Sequence, residues 1–214
     1  PQENKIAGKG TVHEGDISIS VGLKGIPALA ESLQIARDLH ILEYAGGKLH
    51  IPTISTKEGV ALIKEAKKKG LDVTCSVAIH NVFFNDTVIE DFDTHYKVSP
   101  PLRGETHRKA LIEGLKDGTI DMVCSDHNPL DVERKQVEFD NAFYGVVSQE
   151  ATFKALCTLL DIEKTVEVLQ SGRKRFTKNS YPIAAGKTAN ITLFTKQNKE
   201  VFTNEDVLSK SKNA

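Results

Sequence analysis

Apolar positions along the chain switch between two periods, and the switches outline alternating helices and strands. From Pro27 onward, Leu29, Leu33, Ala36, Leu39 and Leu42 recur at three- and four-residue steps, the spacing of one buried helical stripe. Gly46-Gly47 ends that helix. Residues 49–54 follow as a short strand. Ser55 and Glu58 then have capping-box spacing, with Ser55 as the N-cap of the next helix. Val60, Ile63 and Ala66 form its inward face. Lys67-Lys68-Lys69 fills its last turn, where cations suit the helix dipole, and Gly70 stops it. Residues 73–79 are β-branched and nearly continuously apolar, as in a parallel strand covered on both faces. His80-Asn81 lies just past its end.

A long loop over 82–101 leads to a helix over 103–116, with Ala110, Leu111 and Leu115 inward and Gly118 at its end. The apolar run 120–124 then stops abruptly at Ser125-Asp126-His127-Asn128-Pro129. A buried barrel strand ends this way, with the first polar side chains beyond it facing the mouth. After a second long loop, 127–145, helices are predicted over 146–160 and 162–169, with Phe153, Leu156, Leu159 and Val166 facing the core. Residues 191–194 and 201–202 read as a hairpin turned at Lys196–Lys199, and the tail 209–214 as frayed. Residues 1–27 are Gly-rich and polar. They read as an excursion from the core, with His13-Glu14-Gly15 as a turn contact rather than a ligand cluster.

Strands alternating with helices imply parallel pairing with right-handed crossovers. Three barrel-type strands cannot close a barrel, which needs about eight. The expected fold is therefore α/β: the C-terminal portion of a (β/α)8 TIM barrel over 1–180, with a small β appendage and tail over 181–214. The chain opens on Pro in the middle of polar sequence and is expected to be a piece of something longer.

Composition adds exclusions. The 214 residues are 39% hydrophobic and 27% charged, with a net charge of −1 from 28 basic and 29 acidic side chains. That balance supplies no field to attract nucleic acid or an acidic membrane. No apolar run approaches the roughly 20 residues that span a bilayer. Cys75, Cys124 and Cys157 are scattered without CxxC spacing, which predicts a reducing cytoplasm rather than a disulfide framework, and Cys75 and Cys124, inside apolar strands, are expected to be buried thiols.

At the end of the 120–124 strand, Asp126 is the candidate catalytic residue. A carboxylate there binds a metal or takes a proton from a metal-bound water; equally, the stretch can be a polar turn capping a strand. Ordered blocks decide what surrounds it. His13-Glu14-Gly15, Gly22-Leu23-Lys24-Gly25-Ile26-Pro27, Glu31-Ser32-Leu33-Gln34-Ile35-Ala36-Arg37-Asp38, Ser55-Thr56-Lys57-Glu58-Gly59-Val60, Pro100-Pro101-Leu102-Arg103, Leu115-Lys116-Asp117-Gly118-Thr119-Ile120-Asp121 and Ser125-Asp126-His127-Asn128-Pro129 run in order. On these blocks the chain resembles the dihydroorotases of the zinc amidohydrolase superfamily, in their long, multifunctional-complex type. The resemblance implies a metal-dependent hydrolase barrel with zinc at its mouth. It also implies a small-molecule substrate: such proteins reversibly cyclise carbamoyl aspartate to dihydroorotate in pyrimidine synthesis.

Carried over position by position, the family site is incomplete. Asp126 matches the catalytic and metal-binding aspartate. Thr53 stands where a histidine ligand opens a His-Val-Ser-Thr motif. Leu130 replaces the histidine that holds the substrate carboxylate, and Ser99 replaces the asparagine before Pro-Pro-Leu-Arg. Tyr144-Gly145 matches a Phe-Gly pair that contacts substrate through its backbone, and Ile79-His80-Asn81 matches a Pro-His-His stretch. Thr is a poor zinc ligand beside imidazole, so this chain is expected to bind zinc weakly or not at all. Three readings stay open: an active zinc dihydroorotase seen as a fragment, a silent family member that supports aspartate carbamoyltransferase or pairs as a homodimer, and a hydrolase of another cyclic amide. Val82, Phe83, Phe84, Val137, Phe139, Phe143 and Tyr144 in the two long loops are candidate anchors for such a partner.

Overall fold

The computed structural model describes residues 1–177, 183–195, 203, 205–209 and 211. Helix α1 (Asn4–Ala7), strand β1 (Val12–His13), helix α2 (Asp16–Ser20) and strand β2 (Gly25–Ile26) come first, then helix α3 (Ala28–Ala45) and strand β3 (Leu49–Ile51). Helix α4 (Lys57–Lys68), strand β4 (Val73–Ala78), helix α5 (Ile79–Phe83), helix α6 (Glu105–Lys116) and strand β5 (Met122–Cys124) follow. Helices α7 (Thr152–Leu159) and α8 (Ile162–Phe176) complete the order. Strands β3, β4 and β5 lie side by side in that order, all parallel, with Leu49 opposite Val73 and Ser76 opposite Met122. Residues 1–27 do more than wander: β1 and β2 pair in parallel, Val12 opposite Gly25, and Arg103 ties them to the main body through Ile26 O at 2.7 Å.

The core is the layer between the three-stranded sheet and helices α3, α4, α6, α7 and α8. Ile54, Ile63, Cys75, Val77, Leu111, Leu156 and Val168 are buried there. As expected, α4 turns Val60, Ile63 and Ala66 inward, and Cys75 is a buried free thiol. Asp121 pins β4 to β5 by accepting from Cys75 N at 2.8 Å and from Lys67 Nζ at 2.7 Å. The lysine run is therefore not wholly a solvated helix end.

Several elements differ from their expected bounds, each for a local reason. The buried face of α3 is Ala30, Glu31, Ile35, Leu39 and Leu42, whereas Leu29 and Leu33 are 57% and 46% exposed. A carboxylate, Glu31, begins the true stripe. Strand β3 stops at Ile51, where Pro52 and the left-handed Thr53 turn the chain out of the ladder. Ser55 is not the N-cap of α4: its hydroxyl donates to Glu31, and Thr56 caps instead, accepting from Gly59 N at 3.1 Å. Residues past β4 wind directly into α5. Helix α7 starts only at Thr152, since Val146 is bridged in parallel to His127. Helix α8 runs on to Phe176, where Arg175 donates to Leu49 O at 2.8 Å, and Gly172 lets it approach Met122 closely. Residues 191–195 carry no strand, and the expected partner at 201–202 lies outside the described residues.

Close approach also explains a glycine in α4. A Cβ on Gly59 would stand 2.9 Å from Ile35 Cδ1 and 3.0 Å from Glu31 Oε1. Ile35 can yield, but Oε1 is fixed by Thr56 N and Thr56 Oγ1 at 2.9 and 2.7 Å. Alanine is normally better than glycine in a helix by about 1 kcal/mol. Gly59→Ala should nevertheless destabilise the chain, by about 1–3 kcal/mol of overpacking less that gain. Urea unfolding checks this, and a raised midpoint would contradict it.

Candidate active site

Three parallel strands release the chain at one end of the sheet, and the residues just beyond them form the site. Past β3, Thr53 adopts a left-handed backbone at φ 45°, and past β5 Asp126 does so at φ 49°. Such conformations are costly for residues with a Cβ and persist where surroundings impose them. At Thr53 the surroundings are visible: its N–H donates to Ser76 Oγ at 3.2 Å, and Ile54 N donates to Ser76 O at 2.9 Å.

Asp126 is half-buried, and that burial pushes its carboxyl above the usual range. Its Oδ2 lies 3.7 Å from Nε2 of His80, beyond hydrogen-bond reach. His80, which the sequence places just past a strand end, stands beside it. It is carried inward by α5, and burial lowers it to about 4, so the ring is neutral near pH 7 and the pair is not an ion pair. The signal was its position one residue beyond a buried strand. His127 is turned to structural use: its Nδ1 accepts from Ser148 N and Gln149 N, both at 3.3 Å.

Leu130, Tyr144 and Gly145 come together. A Cβ on Gly145 would meet Asn128 Nδ2 at 2.8 Å and Leu130 Cδ1 at 2.9 Å, and Asn128 Nδ2 donates to Tyr144 O at 2.9 Å. Ser99 is exposed. Thr53 and Asp126 share the sheet end without a contact between them. Among the described residues, no group of three His, Cys, Asp or Glu side chains is placed to hold a metal ion.

Two lysines that carried no sequence signal knit the long loops together. Lys97 donates to Phe139 O and Asp140 O at 2.6 and 2.9 Å, and its ammonium stands 5.1 Å from the Tyr144 ring centroid. Lys135 donates to Phe143 O at 3.1 Å, and burial with the nearby Lys97 charge lowers it to about 8. Of the expected loop anchors, Val82 and Phe139 are buried core residues. Phe84 packs edge-on against Phe83 and Tyr96. Phe83, Val137 and Phe143 remain exposed, joined by Phe92.

Beneath the mouth lies a buried polar network. Glu31, 1% exposed, accepts from Ser55 N at 2.8 Å and Thr56 N at 2.9 Å. Arg103 Nε donates to Ser55 Oγ at 3.1 Å, and its Nη1 lies 3.2 Å from His13 Nδ1. His13 is lowered to about 4 by burial, then by the Arg103 charge.

A three-stranded parallel sheet flanked by helices, with polar side chains at its C-terminal end, defines a segment of an amidohydrolase-type (β/α)8 barrel. The dihydro-orotase-like family model matches residues 2–59. The dihydroorotase of Bacillus subtilis is 38% identical over 219 residues, covering 99% of this chain and 51% of that protein. That of Desulforapulum autotrophicum is 36% identical over 217 residues, with 99% and 51% covered. Among solved structures, the L-hydantoinase (dihydropyrimidinase) from Arthrobacter aurescens is similar at TM-score 0.64 and 28% identity, over 71% of this chain and 36% of that one. The D-hydantoinase (dihydropyrimidinase) from Thermus sp. gives 0.63 and 27%, over 69% and 35%. The chain belongs to the dihydroorotase family of the amidohydrolase superfamily, and it spans about half the length of the curated relatives it matches.

Burial of neutral histidines makes stability depend on pH. Folded values near 4 for His13 and His80 lie below the ordinary 6.5. The unfolded chain therefore binds more protons between those values, and stability falls as pH drops from 6.5 toward 4. The contribution is complete above 6.5; Asp86 and Asp126, raised by burial, oppose it at the acid end. Each such proton is worth about 1.4 kcal/mol per pH unit. Urea unfolding between pH 6 and 5 should show uptake of about two protons, and His13→Gln should remove about one of them. A flat profile would contradict the burial assigned to these rings.

Proposed function

We propose that this chain is a dihydroorotase-type barrel segment of pyrimidine biosynthesis whose active-site set is incomplete, leaving it slow or silent toward dihydroorotate. The observation that carries the reading is the end of β3. There Thr53, held left-handed against Ser76, presents a hydroxyl where the family uses an imidazole ligand. In the family, zinc polarises the amide carbonyl and supplies hydroxide near neutral pH. At the matched position this chain offers a hydroxyl, and threonine is a poor zinc ligand beside imidazole. Leu130, packed against Gly145, offers a substrate carboxylate no donor and would desolvate it without compensation.

A silent member of the family has a use as a structural subunit, and we assign this chain that role toward aspartate carbamoyltransferase. The exposed Phe92, Val137 and Phe143 on the mouth loops support it, as aromatic anchors within a polar rim. One observation favours a second reading. An apolar Leu130 suits a cyclic amide without a carboxylate, and the similar structures named above are hydantoinases and dihydropyrimidinases.

Ring opening of dihydroorotate, dihydrouracil and hydantoin, followed in the ultraviolet with added zinc, separates these readings. No turnover of dihydroorotate is expected. A rate near about one per second, the low end of ordinary enzymes, would overturn the incomplete-site reading, and opening of a neutral ring alone would establish the second. In size-exclusion runs at micromolar concentration the chain should co-elute with aspartate carbamoyltransferase, and Phe92→Glu with Phe143→Glu should separate them without loss of fold. Independent elution of the unaltered proteins, or a homodimer in place of the complex, would end the subunit proposal.

A further inference from the structure

A cavity of about 390 Å³ lies between α5, the segment around 93–102 and α7. It is not the strand-end site: Thr53, Ser99, Asp126, Leu130 and Tyr144 do not line it. Its volume falls within the roughly 300–1,000 Å³ of small-molecule pockets. The walls are mostly apolar. Phe84 and Tyr96 meet edge to face at 5.1 Å, and Val98, Leu102 and Val147 are buried around them.

Two buried polar side chains stand in that wall, His80 and Ser148, and the Ser148 hydroxyl already donates to Ser125 O. His80 is 5% exposed and lines the cavity, and neither Nδ1 nor Nε2 has a hydrogen-bond partner among the described residues. Asp126 Oδ2, at 3.7 Å from Nε2, is too far to serve. A buried imidazole with both nitrogens unpaired is costly, and a ligand group that pairs with it recovers that cost on binding. At the outer side Asp93 and His95 are committed to each other, Oδ1 to Nδ1 at 2.7 Å, so they do not compete for the inner group.

We propose that this cavity binds an uncharged aromatic heterocycle whose ring N–H donates to the unprotonated nitrogen of His80. Aromatic edges at Phe84 and Tyr96 favour a flat ring packed against them. A charged ligand would lose its hydration against walls that are mostly apolar, the exposed Lys154 being the lysine among them. The ring N–H supplies what an apolar molecule of the same shape cannot. The cavity shares His80 with the strand-end site but uses neither Thr53, Leu130 nor a metal.

Indole and benzothiophene, equal in shape and differing in the N–H, test this on the 214-residue chain. Indole should bind about tenfold more tightly than benzothiophene, the scale of one buried hydrogen bond. It should also shift the His80 ring nitrogens in long-range ¹H–¹⁵N spectra. Ala155→Trp, which fills the cavity from α7, should abolish both. His80→Phe should weaken indole about tenfold and leave benzothiophene within about twofold. If His80→Phe fails to fold, the two-probe comparison and the ring-nitrogen shift on the unaltered chain still decide. Equal binding of the two probes, no binding of either up to millimolar concentration, or indole binding that survives Ala155→Trp would overturn the proposal.

Discussion

Glu31 sits almost wholly inside the protein, on a helix face that is otherwise apolar. An ionised carboxylate taken out of water costs on the order of several kcal/mol unless hydrogen bonds and an opposite charge offset it. Here both are supplied from distant parts of the chain. The backbone and hydroxyls of Ser55 and Thr56 surround the carboxylate, and Arg103 reaches it through the Ser55 hydroxyl. Because these donors come from the β3–α4 turn and from the segment before α6, satisfying one charge sets three elements. Arg103 extends the constraint to Ile26 and His13, which docks the small β1–β2 pair.

The strand end inherits its position from that network. With Ser55 and Thr56 held by Glu31, the chain between Pro52 and Ile54 must turn sharply. Thr53 takes the left-handed backbone that results. On the other side of the mouth, Lys97 donates to Phe139 O of the opposing loop, and Lys135 donates to Phe143 O of its own loop and to Lys97 O of the other, so two long loops are fixed to each other. Charge that could have served chemistry is spent on architecture.

Much of this was legible in the sequence. Alternating periods located β3, β4, β5 and the helices between them, because buried strands and amphipathic helices leave strong apolar signals. Ordered motif blocks located Asp126, Thr53 and Leu130. What failed was reading polar residues as outward-facing. Glu31 looked like a surface position and displaced the stripe onto Leu29 and Leu33, which are exposed. Ser55 looked like a cap because its spacing to Glu58 is right, yet its hydroxyl serves a residue 24 positions earlier. Lys97 and Lys135 gave no local hint, since their partners are backbone carbonyls, those of Lys97 in a distant loop. The helix start at Thr152 was misplaced for a similar reason, a bridge between Val146 and His127 that no local pattern records.

The central claim is that the buried Glu31 charge, and not the apolar contacts around it, sets the strand end. Buried charges can often be replaced by apolar residues without loss, or even with gain, so Glu31→Leu is the direct test. Its stability in urea should be read together with the backbone chemical shifts of Thr53 to Lys57. The account predicts a loss of about 3–5 kcal/mol, as for breaking a buried pair, with shifts displaced throughout that turn because Ser55, Thr56 and Arg103 lose their acceptor. A Glu31→Leu chain as stable as the parent, with the Thr53 to Lys57 shifts unchanged, would contradict it.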